Sequence, residues 1–180
     1  MRRNAKELRT LPVDETALKA IKKNPVTIIL DNVLDTYNIG SIFRLADAVA
    51  AEKVYLCGAT ETPPNTRIKK ASINTWQWVE WEYMTATSDA ISKIKVLNPD
   101  TKIIAIEQNE KSVPFQKVKY TFPIAIVVGN ETHGVSKEIL NLADTIVELP
   151  MFGINTSLNV MVSTGIILYD ILRQLSSIGD

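Results

Sequence analysis

The sequence is poor in the residues that build disulfides and metal sites. Cys57 is the only cysteine and His133 the only histidine among 180 residues. A lone cysteine cannot form a disulfide within the chain, and such cysteine usage is typical of the reducing cytosol. One cysteine and one histidine do not make up a zinc site, and a single histidine gives a Ser-His-Asp triad little to build on. We therefore expect a cytoplasmic protein without a bound metal.

Long apolar segments and an excess of charge are also absent. No run reaches about 18 apolar residues, the length that a membrane-spanning helix needs. The basic start, MRRNAKELRT, is not followed by the apolar stretch of a signal peptide. Lysine plus arginine and aspartate plus glutamate balance at 20 each, which argues against a histone-like polycation that binds nucleic acid by net charge. Local basic clusters still leave RNA binding open.

Two nucleotide-binding fingerprints are missing. The chain has neither G-x-G-x-x-G after its first predicted strand nor G-x-x-x-x-G-K-[ST] anywhere. The first absence counts against a small-molecule oxidoreductase with a dinucleotide cofactor, which we keep as a rival interpretation. The second counts against a P-loop enzyme.

Short apolar runs rich in valine and isoleucine alternate with helical patterns. The runs are Val26–Leu30, Val54–Cys57, Ile103–Ile106, Ile124–Val128 and Ile146–Leu149. Most of them do not alternate with polar residues, which is typical of strands covered on both faces, as in a parallel sheet. The helical patterns are Ile39–Val49, Ser88–Val96, Ser136–Leu142 and Ser157–Leu175, with another over about 6–23. The sequence predicts a single α/β domain, residues 1–180, with a mostly parallel sheet and helices on both faces.

Three polar segments that contain glycine follow predicted strands, at 31–44, 129–134 and 150–159. Ligands of open α/β sheets bind beyond the carboxyl ends of the strands, so chemistry is expected there. Asn38 is expected to cap the helix that follows it. Arg44 lies in an otherwise apolar helix and needs a carboxylate or a phosphate as its partner. A salt bridge to Asp47 or Asp31 and a bound phosphate are both open.

Together the three segments resemble the motifs of the SpoU (TrmH-like) RNA 2′-O-ribose methyltransferases of the SPOUT superfamily. The first carries the family's Asn-x-Gly-x-x-x-Arg pattern as Asn38, Gly40 and Arg44. The second carries Gly-x-Glu-x-x-Gly as Gly129, Glu131 and Gly134. The third carries a proline, a glycine and the series Ser-Leu-Asn-Val, as Pro150, Gly153 and residues 157–160. The motifs follow one another in the family's order, and the resemblance covers residues from about 25 to 175.

The resemblance implies an enzyme that transfers a methyl group from S-adenosylmethionine to a ribose 2′-hydroxyl of structured RNA. It also implies a homodimer and a deep trefoil knot within the donor-binding region, about 103–176. Chain-topology rules give no reason to expect a knot, so that expectation rests on the family. The implied catalytic residues are Arg44, Asn38, Glu131, Ser157 and Asn159. The implied donor-binding residues are Gly129, Leu149, Leu158, Ile106, Glu107 and Ile154.

The family resemblance assigns Arg44 to catalysis. A guanidinium stays protonated at ordinary pH, so we do not expect Arg44 to act as a simple base. We expect it to clamp an RNA phosphate and to stabilise the forming alkoxide, while a phosphate or Ser157 relays the proton. The long apolar helix predicted after Ser157 suits a dimer interface as well as a core.

A basic and tryptophan-rich stretch is the candidate RNA contact. Arg67, Lys69 and Lys70 are expected to bind phosphates, while Trp76 and Trp78 either stack on a base or pack on the sheet. The extra N-terminal RNA-binding domain of some rRNA-modifying relatives is not recognisable, which favours tRNA over rRNA. A catalytically silent paralogue that only binds RNA is the remaining alternative.

Overall fold

The computed structural model describes Glu7 and residues 15–176, apart from the side chain of Ala17. Its strands are β1 (Asn24–Asp31), β2 (Ala51–Cys57), β3 (Trp81–Met84), β4 (Lys102–Ile106), β5 (Val113–Pro114), β6 (Ile124–Val128) and β7 (Thr145–Glu148). They form one sheet in the order β3-β2-β1-β6-β4-β7-β5, and every pair of neighbours is parallel. The predicted parallel sheet is therefore confirmed.

The helices are α1 (Glu15–Lys19), α2 (Thr36–Ala48), α3 (Thr66–Ser72), α4 (Thr87–Leu97), α5 (Lys137–Leu142) and α6 (Val160–Ser176). Three expected helix boundaries differ. The helix α2 begins at Thr36, three residues before the expected start at Ile39. Of the helix expected over about 6–23, residues 6 and 8–14 lie outside the described residues, and the described helix ends at Lys19. The last helix begins at Val160 and not at Ser157, because residues 150–159 form an irregular loop. No helix in the described ranges is both long and apolar enough to cross a bilayer.

The elements that the apolar runs did not predict are short or lie at an edge. The two edge strands, β3 and β5, are only partly buried, so they lack the continuous valine and isoleucine of the inner strands. The helix α3 has seven residues and buries only Ile68 and Ser72. A segment with so small an apolar face gives a weak periodic signal.

Both faces of the sheet are covered. Along β1, Ile28 and Leu30 point into one hydrophobic cluster and Ile29 points into another on the opposite face. The first cluster contains residues of α2 and α6, and the second contains residues of α4 and α5. This confirms the predicted arrangement of helices on both faces. It also leaves the carboxyl ends of the strands as the edge at which polar loops gather.

Gly40 allows α2 and α3 to approach closely. A Cβ atom at Gly40 would lie 2.6 Å from the Cβ of Ala71 and 2.8 Å from the backbone oxygen of Ile68. Both distances are too short for a real contact, and a backbone oxygen cannot move aside cheaply. The glycine of the first motif therefore has a packing reason, and it fixes the basic helix α3 against the helix that carries Asn38 and Arg44.

We expect Gly40→Ala to lower the free energy of unfolding by about 1–3 kcal/mol, because the added methyl group overpacks the α2–α3 contact. Gly165→Ala is the matched control in α6, since its Cβ would meet only Leu45 side-chain carbons at 3.5 and 3.6 Å. An interior helical glycine replaced by alanine without a clash stabilises by about 0.5–1 kcal/mol. Urea unfolding measures both, and equal effects at the two positions would contradict the packing argument.

Candidate active site at the carboxyl edge of the sheet

A cavity of about 630 Å³ lies where the loops after β4, β6 and β7 meet. Its volume falls within the range of about 300–1,000 Å³ that is usual for small-molecule sites. These three strands are neighbours in the sheet, which brings together segments far apart in the sequence. Two segments supply most of the lining, and we name them the Gly129 loop (residues 129–136) and the Pro150 loop (residues 150–159).

The Gly129 loop folds back on itself between two glycines. Asn130 and Gly134 pair through both of their backbone groups, at 3.0 and 2.8 Å. A Cβ atom at Gly129 would collide with the backbone of Gly134 and Val135. Gly134 has a φ of +68°, and a Cβ there would collide with the carboxylate of Glu107. A side chain at either position would collide with the atoms that form or support this turn, so glycine is required at both.

Three predicted catalytic residues are joined by hydrogen bonds. The Asn38 amide nitrogen donates to Glu131 Oε1 at 3.0 Å, and the Asn159 amide nitrogen donates to Asn38 Oδ1 at 3.0 Å. Glu131 also accepts from the backbone N–H groups of Leu34 and Asp35, at 3.1 and 3.0 Å. One chain of contacts therefore connects the start of α2, the Gly129 loop and the Pro150 loop.

Asn38 is not the cap of α2, contrary to the prediction. The helix begins at Thr36, and the Asp35 side chain caps it by accepting from the backbone N–H of Tyr37 at 2.8 Å. Asn38 lies in the first turn and is buried, with 5% of its surface exposed. Its amide makes no capping hydrogen bond and instead bridges Glu131 and Asn159.

The Glu131 carboxylate is held in its ionised form. Burial acts to raise its pKa, but the hydrogen bonds from the Asn38 amide and from the Leu34 and Asp35 backbone outweigh burial and lower the pKa below its ordinary value of 4.5. A carboxylate that is ionised near neutral pH and accepts several hydrogen bonds orients its donors and is a poor proton donor. At this site the carboxylate fixes the orientation of the Asn38 amide.

We expect Glu131→Gln to lower the free energy of unfolding at pH 7 by about 1 kcal/mol, because an amide cannot accept all three hydrogen bonds and the exposed setting weakens the loss. The depressed pKa of Glu131 means that this contribution is present above pH 4.5 and is lost as the pH falls through the folded-state pKa. Urea unfolding as a function of pH measures it. Glu110→Gln, at an exposed glutamate, is the control. A difference between wild type and Glu131→Gln that does not change with pH would contradict this account.

Arg44 is exposed and makes no hydrogen bond or ion pair within the described part of the chain. The two carboxylates considered as its partners are engaged elsewhere. Asp47 accepts from the Trp78 indole nitrogen at 2.7 Å, and Asp31 accepts from Thr87 Oγ1 at 2.7 Å. The salt-bridge interpretation is therefore wrong for these residues. Arg44 does not line the cavity, and its guanidinium is available for an anion outside it.

Ser157 and most of the predicted donor-binding residues line the cavity. The Ser157 backbone N–H donates to Asn155 Oδ1 at 3.2 Å, which makes a local turn in the Pro150 loop. Ile154 does not line the cavity, and its side chain is fully exposed. Five of the six predicted donor-binding residues are lining residues: Gly129, Leu149, Leu158, Ile106 and Glu107.

Sequence reasoning missed the asparagines that shape these loops. Asn130 Oδ1 accepts from the backbone N–H groups of Thr132 and His133, at 2.9 and 3.0 Å, and its amide donates to the Asn32 carbonyl at 2.9 Å. Asn155 organises the turn before Ser157. Asparagine side chains tend to form hydrogen bonds with nearby backbone groups, and this tendency could have identified Asn130 and Asn155. Asn32 and Asn130 are 98 residues apart in sequence, so no local pattern could pair them.

The candidate RNA-binding residues lie on α3, and the neighbouring tryptophans are partly buried. Arg67, Lys69 and Lys70 are exposed. The Asn65 side chain caps α3 by accepting from the backbone N–H groups of Arg67 and Ile68. Trp76 and Trp78 are partly buried and pack against the first hydrophobic cluster. Of the two open alternatives for these tryptophans, packing on the sheet is the one observed.

Known proteins share this fold and these motifs. Residues 25–169 match the model of the SpoU rRNA Methylase family. The chain is 36% identical over 157 residues to a tRNA (guanosine(18)-2′-O)-methyltransferase of Aquifex aeolicus, covering 85% of this chain and 71% of that relative. The crystal structure of the A. aeolicus TrmH/SpoU tRNA modifying enzyme superposes with a TM-score of 0.80 at 33% identity, covering 97% of this chain and 84% of that one.

Another similar structure contains bound S-adenosylmethionine. It is an AdoMet-bound rRNA methyltransferase from Sinorhizobium meliloti, with a TM-score of 0.78 and 27% identity over 88% of this chain and 60% of that one. A parallel α/β sheet with a small-molecule cavity at its carboxyl edge is the class that the fold defines. The chain belongs to the SpoU methylase family within that class.

Proposed function

We propose that this chain transfers the methyl group of S-adenosylmethionine to a ribose 2′-hydroxyl of tRNA, as a cytoplasmic homodimer. The observation that carries the proposal is the hydrogen-bonded chain Glu131–Asn38–Asn159, because it links all three family motifs at one cavity. The A. aeolicus relatives are named as tRNA enzymes, which supports tRNA. rRNA is the alternative substrate, supported by the family description and by the S. meliloti enzyme.

The cavity fits the methyl donor. Its walls come from a glycine turn that side chains would block and from the leucines Leu149 and Leu158. Gly129, Ile106 and Glu107 complete the set of residues that we assign to donor binding. Backbone groups of such loops can read an adenine edge, while the leucines contact its faces. When bound, S-adenosylmethionine supplies an electrophilic methyl group on a sulfonium sulfur.

The residues around the cavity divide the remaining tasks. Arg44 clamps a phosphate of the RNA and stabilises negative charge as the 2′-oxygen forms an alkoxide. The phosphate or Ser157, which lines the cavity, relays the proton of the hydroxyl to solvent, and Ser157 gives up its own proton as it accepts this one. Asn38 and Asn159, held by Glu131, align the ribose with the donor.

The last helix supports the homodimer. Val162, Ile166 and Tyr169 of α6 are 40%, 39% and 55% exposed, and their spacing puts them on one helix face. Leu158, at 43%, lies in the loop just before that helix. An apolar helix face of this kind is suited to bury itself against a second copy of the chain. The trefoil knot, within about 103–176, stays a prediction from the family.

The test is single-turnover transfer of radiolabelled methyl groups to bulk tRNA and to bulk rRNA, followed by mapping of ribose methylation. We expect wild type to label tRNA, and we expect Arg44→Lys to react about 100-fold more slowly at saturating donor, because an ammonium cannot replace the guanidinium fork.

Each outcome has a distinct meaning. Labelling of rRNA alone would replace the proposed substrate. Binding of tRNA without any transfer would support the silent paralogue. A near-normal rate for Arg44→Lys would exclude a specific role for the guanidinium. Because Arg44→Lys keeps the positive charge, a slow rate for this variant reports on the guanidinium and not on a loss of charge.

Replacing Arg67, Lys69 and Lys70 together with alanine should weaken tRNA binding and reduce the slope of log affinity against log salt by about 2–3, because each lost phosphate contact removes nearly one unit. Filter binding at several salt concentrations measures this. The matched control replaces the exposed lysines Lys102, Lys117 and Lys119, which removes the same charge from other surfaces. If both triple variants lose affinity equally, net charge and not α3 attracts the RNA.

A further inference from the structure

Two carboxylates hold the downstream end of the Gly129 loop. The backbone N–H of Val135 donates to Glu107 Oε2 at 2.7 Å, and the N–H of Ser136 donates to Asp31 Oδ2 at 2.9 Å. Asp31 ends β1, and Glu107 directly follows β4. These strands flank β6, from which the loop emerges. Carboxylates at the ends of the two flanking strands therefore hold two successive N–H groups of the loop.

Asp31 is unusual because its carboxylate is buried. It is 2% exposed, and no lysine or arginine among the described residues forms an ion pair with it. Its oxygens accept from Thr87 Oγ1 at 2.7 Å, from the Asn32 amide at 2.9 Å and from Ser136 N–H. A buried carboxylate costs free energy unless such donors satisfy it, so each of these hydrogen bonds is strongly held.

The same loop is held at its middle by a third carboxylate. Glu131 ties it to the start of α2, and Glu107 packs so tightly under Gly134 that a side chain there would collide with it. With both its middle and its end fixed, the loop has little freedom to change the shape of the cavity. Glu107 and Glu131 line that cavity, whereas Asp31 does not. Asp31 can therefore act on a ligand only through the loop.

We propose that Asp31 is a positioning residue for donor binding, which acts together with Glu107 by clamping the N–H groups of Val135 and Ser136. The inference rests on the proposed function, since it takes S-adenosylmethionine as the ligand of the cavity. The clamp preorganises the Gly129 loop, so the donor does not have to order it on binding.

The backbone at Ser136 offers a specific test. Ser136 has φ −61° and ψ 147°, and its side chain is exposed and makes no cap hydrogen bond. Proline accepts this φ but lacks the N–H and places its Cδ atom where the hydrogen lies, so Ser136→Pro removes the hydrogen bond and forces the Asp31 oxygen and the loop apart. Ser136→Ala is the reference, because it loses the hydroxyl and keeps the N–H.

Calorimetric titration with S-adenosylhomocysteine, the product form of the donor, gives the readout. We expect the Kd of Ser136→Pro to be about tenfold higher than that of Ser136→Ala, the cost of about one lost charged hydrogen bond. Equal Kd values for the two variants would overturn the clamp. Should Ser136→Pro fail to fold by circular dichroism, Asp31→Asn replaces it and is judged by the same criterion against wild type.

A second variant separates positioning from stability. Thr87→Val breaks a different hydrogen bond of the same carboxylate, on the side of α4, and leaves the bond to Ser136 in place. We expect it to lower the thermal midpoint and to keep the wild-type Kd for S-adenosylhomocysteine. A rise in its Kd equal to that of Ser136→Pro would show that Asp31 acts through general stability. Wild-type protein that fails to bind S-adenosylhomocysteine would instead overturn the proposed function, and the clamp with it.

Discussion

The site depends on the hydrogen bonds that the Glu131 carboxylate accepts. It takes one from the Asn38 amide and two from the backbone at the start of α2, and Asn38 in turn takes one from Asn159. An asparagine that must bridge two partners has one productive orientation, and Glu131 selects it by accepting from its nitrogen. The ionised state of Glu131 is part of this constraint, since a protonated carboxyl could not accept equally well from three donors.

The cavity and the exposed basic residues are separate regions of the molecule. Among the described residues, the cavity is lined by Glu107, Glu131 and Glu148 and by no lysine or arginine, whereas Arg44 and the basic residues of α3 lie outside it. The glutamates are occupied with positioning, because each accepts hydrogen bonds from neighbouring loops. Arg44 on α2 is exposed to solvent. Gly40 sets this geometry by letting α3 pack directly on α2.

Several features could be predicted because their signal is local. The valine and isoleucine runs marked the inner strands, and Ile124–Val128 matches β6 residue for residue. The three motifs marked the loops that line the cavity or connect to it. Other features had no local signal. Asparagine and aspartate both suit the start of a helix, and Asn38 was the predicted cap of α2. In the structure the cap is Asp35. The last helix was predicted to begin at Ser157, although the end of the Pro150 loop stays irregular and α6 begins at Val160.

By itself the sequence determined the α/β class, the inner strands and the segments that carry chemistry, because hydrophobic periodicity and glycine placement are properties of neighbouring residues. Only the tertiary structure decided which polar side chains meet. Asn38 lies 93 residues from Glu131 and 121 from Asn159, and Asp31 lies 105 from Ser136. Contacts over such distances exist only once the parallel sheet has ordered its strands as β1-β6-β4-β7 and brought their carboxyl ends to one edge.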